Sequence, residues 1–335
     1  MKKCLFTYGN HNINNLFDSH PSKINLHAQW IALKNKLYEL GVDLVSKESS
    51  GSRSPDLEIH LNVWKTKNSK WPKFAILTET DFIHPDNSDM DQLKKYDHLF
   101  SWNPILVDIG LATKIQFSHP MGKGIIDGFV KRDKFVVLFG SNRSLRGWHP
   151  KNDLYSERVK TIRWFEHNAP DDFFLYGRKW DLSGRLPTRF GALVHSLEKK
   201  LPFNYQPFPS WKGVILNKQD VLINSRFSIV YENVKGLKGY ITEKIFDAFT
   251  AGNIPIYWGA EDIDDYIPRK CFIDRRNFSN HEDLYKFLKN MSEEEYLNYQ
   301  RCIKNFIENE SKEFTCKKFA DVISLKIVEI INNKK

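Results

Sequence analysis

The chain has 335 residues, 41% hydrophobic and 27% charged, which is the composition of a folded globular protein and excludes a fully disordered one. The 50 Lys and Arg outnumber the 41 Asp and Glu, a formal charge of +9 that favours an anionic partner: nucleic acid, a membrane surface or a phosphorylated small molecule. No apolar run approaches the roughly 20 residues of a membrane helix, and the N-terminus lacks the apolar core of a secretory signal.

At about 150 residues per domain, the length predicts two domains. Lys2–Tyr8 reads as a first strand. Leu26, Trp30, Leu33, Leu37 and Leu40 then share one face of a helix that Gly41 stops. Short apolar runs follow at Val42–Val45, Leu57–Leu61, Phe74–Leu77 and His98–Trp102. A polar stretch ending in Lys131-Arg132-Asp133-Lys134 sets the expected boundary, giving a first domain over 1–130 and a second over 131–310. The second begins with a strand at Phe135–Phe139 and a basic loop at Ser141–Lys151. A helix at Leu154–His167 and a strand at Phe173–Tyr176 come next, before an irregular stretch over Gly177–Trp211. Phe227–Tyr231, Thr242–Thr250 and Ile254–Trp258 read as strand, helix and strand. Strands interleaved with helices predict parallel α/β layering. Residues 311–335 are set apart as a basic amphipathic helix, with Phe319, Val322, Ile323, Ile327 and Ile330 on one side. Such a helix suits either packing in a core or peripheral contact with an anionic membrane.

Three places carry chemistry. The glycine loop before Thr242 follows a parallel strand, so it sits where such sheets bind ligands, and the helix N-terminus beyond it favours anions. Lys244, a cation in the first turn, opposes the helix dipole and hints at a bound anion; Glu243 and Lys244 also fit a solvated helix face. Ser141–Arg146, with Arg158 on the next helix, suits phosphate oxygens or an ordinary basic surface. Glu79 and Asp81, at the end of a first-domain strand, suit a general base or a loop acid. Asp89-Met-Asp91 and Asp262-Ile-Asp264 spell the short DxD pattern of metal-dependent sugar transferases, a match too brief to predict a metal. The histidines, among them His11, His27 and His195, lack ligand spacing. The cysteines, Cys4, Cys271, Cys302 and Cys316, form no metal or disulfide ladder and predict a reducing, cytoplasmic setting.

Phe227 to Gly259 resembles the signature of glycosyltransferase family ten, the alpha-1,3/4-fucosyltransferases. The resemblance rests on Tyr231-Glu232-Asn233, Tyr240-Ile241-Thr242-Glu243-Lys244 and Gly252-Asn253-Ile254-Pro255. Ser141-Asn142, Arg158, Tyr176-Gly177-Arg178 and Trp211-Lys212-Gly213 agree in order, and the first domain matches weakly around Glu79 and Tyr96-Asp97. The resemblance implies a GT-B architecture of two Rossmann-like domains facing across a cleft. It also implies inverting transfer of L-fucose from GDP-fucose to an N-acetylglucosamine-containing glycan, an oligosaccharide or glycolipid, in alpha-1,3 linkage, with no divalent metal and no other cofactor. By motif position, Arg158, Tyr240, Glu243 and Lys244, with Asn233 and Ser141, would bind the donor. Glu79 would be the catalytic base, with Asp81 as its rival. Another GDP-deoxysugar as donor, or a non-catalytic nucleotide- or glycan-binding module, are the alternatives. Nucleic acid is not an expected partner, because the basic residues are scattered and no recognition motif accompanies them.

Overall fold

A strand packed on both faces needs apolar residues at nearly every position, and the chain supplies several such runs. In the computed structural model, which describes residues 1–9, 14–17, 24–51, 54–64, 70–145, 149, 151–182 and 207–333, these runs form two parallel sheets. The first contains β1 (Lys2–Thr7), β2 (Val42–Ser46), β3 (Leu57–Leu61), β4 (Lys73–Leu77), β5 (His98–Ser101) and β6 (Ala112–Lys114), in the order β2-β1-β3-β4-β5-β6. The second contains β7 (Lys134–Phe139), β8 (Phe173–Tyr176), β9 (Ser225–Tyr231), β10 (Ile254–Trp258) and β11 (Ile273–Asp274), in the order β11-β10-β9-β7-β8. Every strand pair is parallel. Central β4 is buried along its whole length, whereas edge strand β2 alternates buried and half-buried residues.

Helices α1 (Ile24–Glu39), α2 (Met90–Leu93) and α3 (Pro104–Asp108) accompany the first sheet. Helices α4 (Leu154–Asn168), α5 (Gln219–Leu222), α6 (Glu243–Thr250), α7 (His281–Asn290) and α8 (Glu293–Asn305) lie in the second half, and α9 (Cys316–Asn333) closes the chain. Their starts are written locally. The Asp153 carboxylate caps α4 by accepting the Tyr155 and Ser156 N–H groups, Asn280 caps α7, and Ser292 with Glu295 forms a capping box on α8. On α4 the buried residues Leu154, Tyr155, Arg158, Thr161, Ile162 and Phe165 follow helical spacing, which fixes Arg158 on the inward face.

Contacts divide the chain into one unit of Met1–Met121, Lys238–Glu243 and Ser311–Lys335 and another of Gly122–Leu237 and Lys244–Glu310. The expected boundaries after residues 130 and 310 differ from this division in three places. Residues 122–130 go with the second unit because fully buried Gln300 accepts the Asp127 and Gly128 N–H groups at 3.0 and 2.9 Å. Buried Arg132 adds bonds to the Gly128, Leu222, Ser225 and Ala251 carbonyls and to the Asp127 carboxylate. Helix α9 is no separate element: Phe319, Ile323, Ile327 and Ile331 are buried in one core with Trp30, Leu33 and Leu37 of α1. The Trp30 and Phe319 rings meet edge to face at 5.6 Å. Of the two uses the sequence left open for the apolar stripe, packing in a core is the one the structure shows. Third, Lys238–Glu243 joins the first unit, where the Tyr240 ring is buried beside Trp102 and Phe117. Among the described residues no helix is long and apolar enough to cross a membrane.

Ile323→Ala should destabilise the protein by about 2–4 kcal/mol in chemical denaturation, the cost of an unfilled core position. Lys326→Ala, which removes an ion pair with Glu329 at the helix surface, should stay within about 0.5 kcal/mol. Equal effects would contradict the burial of the stripe.

Candidate functional site

In the second sheet the chain leaves β7 for β8 on one side and then returns to β9 on the other. Parallel sheets open a ligand crevice at such a reversal, at the carboxyl ends of the two strands. Gly140-Ser141 follow β7 and Glu232-Asn233 follow β9, and Arg158 of α4 joins the two ends. Its Nη2 donates to the Tyr231 and Glu232 carbonyls at 2.6 and 2.8 Å and to Asn233 Oδ1 at 3.0 Å. Its Nη1 lies on the β7 side, 3.9 Å from where a Cβ on Gly140 would stand. The guanidinium also covers the Tyr155 ring at 4.8 Å. Half-buried Ser141 comes next in the chain, so three of the expected donor-binding residues, Ser141, Arg158 and Asn233, gather at this reversal.

The neighbouring backbone is tightly held. Gly177 has φ +130°, and a Cβ there would stand 1.7 Å from the Gly140 oxygen, so only glycine lets the ends of β7 and β8 approach this closely. The Trp180 and Trp211 indoles donate to the Gly140 and Gly177 carbonyls, each at 2.9 Å. After β9, the Leu154 N–H donates to the Asn233 carbonyl and the Gly236 N–H to the Gly259 carbonyl.

Lys244, in the first turn of α6, sets its Nζ 2.9 Å from Glu232 Oε2. The Glu232 side chain is fully buried and that of Lys244 is 23% exposed. The charge that looked misplaced in the sequence thus has a partner within the chain. The sequence reading gives Glu232 no role; the signal there is an acid closing the largely apolar run Phe227–Tyr231. Burial first, and then the Glu232 charge, push the Tyr257 phenol well above its ordinary pKa. Glu243 is half-buried at the first position of α6 and, with Tyr240, falls in the first unit.

Behind β9, the Thr161 hydroxyl lies 2.9 Å from His281 Nε2 and donates to the Tyr231 hydroxyl at 3.3 Å. Burial, followed by the Arg275 charge, lowers the His281 pKa to about 4.

In the first unit, Glu79 follows β4 and is held through its backbone. Buried Asn62, with φ +61°, uses its Oδ1 to accept the Thr78 and Glu79 N–H groups at 2.9 and 3.0 Å. Buried Asn87 donates from Nδ2 to Asn62 Oδ1 at 2.9 Å and to the Glu79 carbonyl at 2.8 Å. Glu79 is half-buried, whereas Asp81 is exposed. Trp64, two residues beyond Asn62, packs against His84 at 4.7 Å and Tyr8 at 5.6 Å. Of the DxD acids, Asp89 caps α2 and Asp264 binds Arg269 at 2.6 Å. Among the described residues no group of three or more His, Cys, Asp or Glu is placed to hold a metal ion. His11, Arg146 and His195, and the Leu26 side chain, lie outside the described residues.

Both units are parallel-sheet α/β domains of the GT-B glycosyltransferase fold. The crystal structure of an alpha1,3-fucosyltransferase with GDP superposes with a TM-score of 0.55 at 14% identity, covering 98% of this chain and 89% of that one. Residues 206–330 match the C-terminal part of glycosyltransferase family 10 (fucosyltransferase). An alpha-(1,3)-fucosyltransferase of Helicobacter pylori is 35% identical over 75 residues, 22% of this chain and 16% of that protein. An alpha-(1,4)-fucosyltransferase of Arabidopsis thaliana is 32% identical over 82 residues, 23% of this chain and 20% of that protein. The matched segments thus span a fifth or less of these relatives' lengths.

Asn62→Ala strips the Thr78 and Glu79 amides of their acceptor. Hydrogen exchange there should accelerate, with a stability loss of about 1–3 kcal/mol; unchanged protection would show that Asn62 does not hold the segment. The lowered His281 pKa favours the neutral ring in the folded state. Its contribution is complete above the unfolded value near 6.5 and declines as pH falls from there toward about 4. Thermal unfolding across that window should therefore be less pH-dependent in His281→Gln than in the wild type.

Proposed function

We propose that this chain transfers L-fucose from GDP-fucose to a hydroxyl of an N-acetylglucosamine-containing glycan, an oligosaccharide or glycolipid, with inversion and in alpha-1,3 linkage. The observation that carries the reading is the convergence of Arg158, Asn233 and Lys244 on the carboxyl end of β9, with β9 and Lys244 inside the segment matched to the fucosyltransferase family.

In this reading Arg158 and Lys244 hold the diphosphate, the guanidinium by directed N–H bonds and the ammonium as a point charge. Asn233 and Ser141 line the same end, Glu243 takes sugar or ribose hydroxyls, and the Tyr240 ring, buried beside Trp102 and Phe117, supports the segment that carries Glu243. The bond from the fucose anomeric carbon to the diphosphate oxygen breaks as the acceptor oxygen attacks from the opposite face. GDP leaves with the bonding electron pair, and the acceptor's proton passes to the Glu79 carboxylate. The two cations stabilise the charge developing on GDP, so no divalent metal is required.

The test is acceptor-stimulated GDP release in EDTA, with GDP-fucose, GDP-mannose and UDP-sugars, each with and without N-acetyllactosamine. Release from GDP-fucose alone supports the reading; turnover of a different donor overturns the sugar, and a Mn²⁺-reversible loss in EDTA overturns metal independence. Lys244→Ala should lower turnover about 100-fold or more while the protein stays folded. Glu79→Gln should lower kcat by about 100-fold or more and leave GDP affinity within about threefold. The same pattern in Asp81→Asn instead would transfer the base role to Asp81.

A further inference from the structure

Glu232 has no part in the chemistry above, yet it touches both cations assigned to the diphosphate. Its carboxylate meets Lys244 Nζ at 2.9 Å, and its carbonyl accepts from Arg158 Nη2 at 2.8 Å. Its own N–H donates to the Trp258 carbonyl at 2.8 Å, which locks the residue to the end of β10. The side chain occupies a fitted space. A Cβ on Gly259 would stand 2.4 Å from Glu232 Cγ and 2.5 Å from the Tyr257 hydroxyl oxygen, so glycine at 259 makes room for the acid.

A fully buried carboxylate is costly unless a cation meets it. A cation in the first turn of a helix is likewise unfavourable unless an acid offsets the dipole. Each group of the pair removes the other's penalty, and the exchange holds only while the ammonium stays at the carboxyl end of β9. We propose that Glu232 is a positioning residue that fixes Lys244 through its carboxylate, and Arg158 through its carbonyl, where a nucleoside diphosphate is bound. This rests on the donor-binding reading of those two cations.

The test is a double-mutant cycle on GDP affinity, measured by calorimetry with Glu232→Gln, Lys244→Met and the double variant, each checked by thermal unfolding. Glu232→Gln keeps the shape and removes the charge; Glu232→Asp, with a shorter reach, is the second variant should the first unfold. Glu232→Gln should weaken GDP binding about tenfold or more. In the Lys244→Met background it should change affinity by less than about twofold, because the group it positions is gone. Donor KM should rise in Glu232→Gln with a smaller change in kcat. A role in stability alone would lower the melting temperature and leave GDP affinity intact, which overturns the proposal. So would tighter GDP binding in Glu232→Gln, since the carboxylate would then be competing with the diphosphate for the ammonium. If Lys244→Met itself leaves GDP affinity unchanged, or the wild type binds no GDP, the donor reading fails and this inference with it. Affinity lost in Lys244→Met but kept in Glu232→Gln overturns the role of Glu232 alone.

Discussion

The carboxyl end of β9 runs beyond β7, its neighbour on one side, and its last carbonyls need donors from elsewhere. Arg158 supplies them, and much of the second unit follows from that. A guanidinium 5% exposed would be expensive in an apolar interior. Here it rests on carbonyl and amide oxygens and on the Tyr155 ring, so the cost is offset locally. Because Arg158 is on the inward stripe of α4, the same bonds set that helix against β9 and carry the chain from Glu232 to Asn233 past the start of α4. Glu232 is then placed to receive Lys244, and the first turn of α6 is anchored to the strand that precedes it.

This arrangement also bears on the net charge. A surplus of nine positive charges over 335 residues does not identify a partner, but at the reversal between β7 and β9 the cations are ordered rather than scattered. They are held by neutral oxygens or by one buried carboxylate. Preorganised charge of this kind stabilises a bound anion without rearranging when it arrives.

Legibility in the sequence followed the range of the interactions. β8 and β10 were visible with their ends as unbroken apolar runs, and β3 through the alternation of Leu57, Ile59 and Leu61 with polar residues, all local signals. β6 and β11, three and two residues long, are too short to show a period, and α7 and α8 went unread for want of an apolar run between them. The amphipathy of α9 was plain, but amphipathy does not say what covers the stripe. The answer, Trp30 and its neighbours, lies almost 300 residues earlier in the chain. At the site, Ser141, Arg158, Asn233 and Lys244 were legible through motif spacing. Tyr240 was read with them, yet its ring is buried among aromatics of the first unit, a contact that no spacing within the motif encodes. Glu232 stood in the quoted motif without a role, because its burial and its partner 12 residues on emerge only in three dimensions. Asn62 and Asn87 were invisible for the same reason: their work is done on backbone groups of a different segment.

The two units support their candidate residues in opposite ways, and the difference has a chemical logic. In the second unit the groups are charged and paired, as suits the capture of an anion. In the first, Glu79 is held by two neutral amides acting on its backbone N–H and carbonyl. An arginine clamp would have fixed the segment as firmly, but a cation beside a carboxylate favours the ionised form and lowers its affinity for a proton. A base must accept a proton in the transition state, so such a clamp would work against it. Asparagines fix position without adding charge.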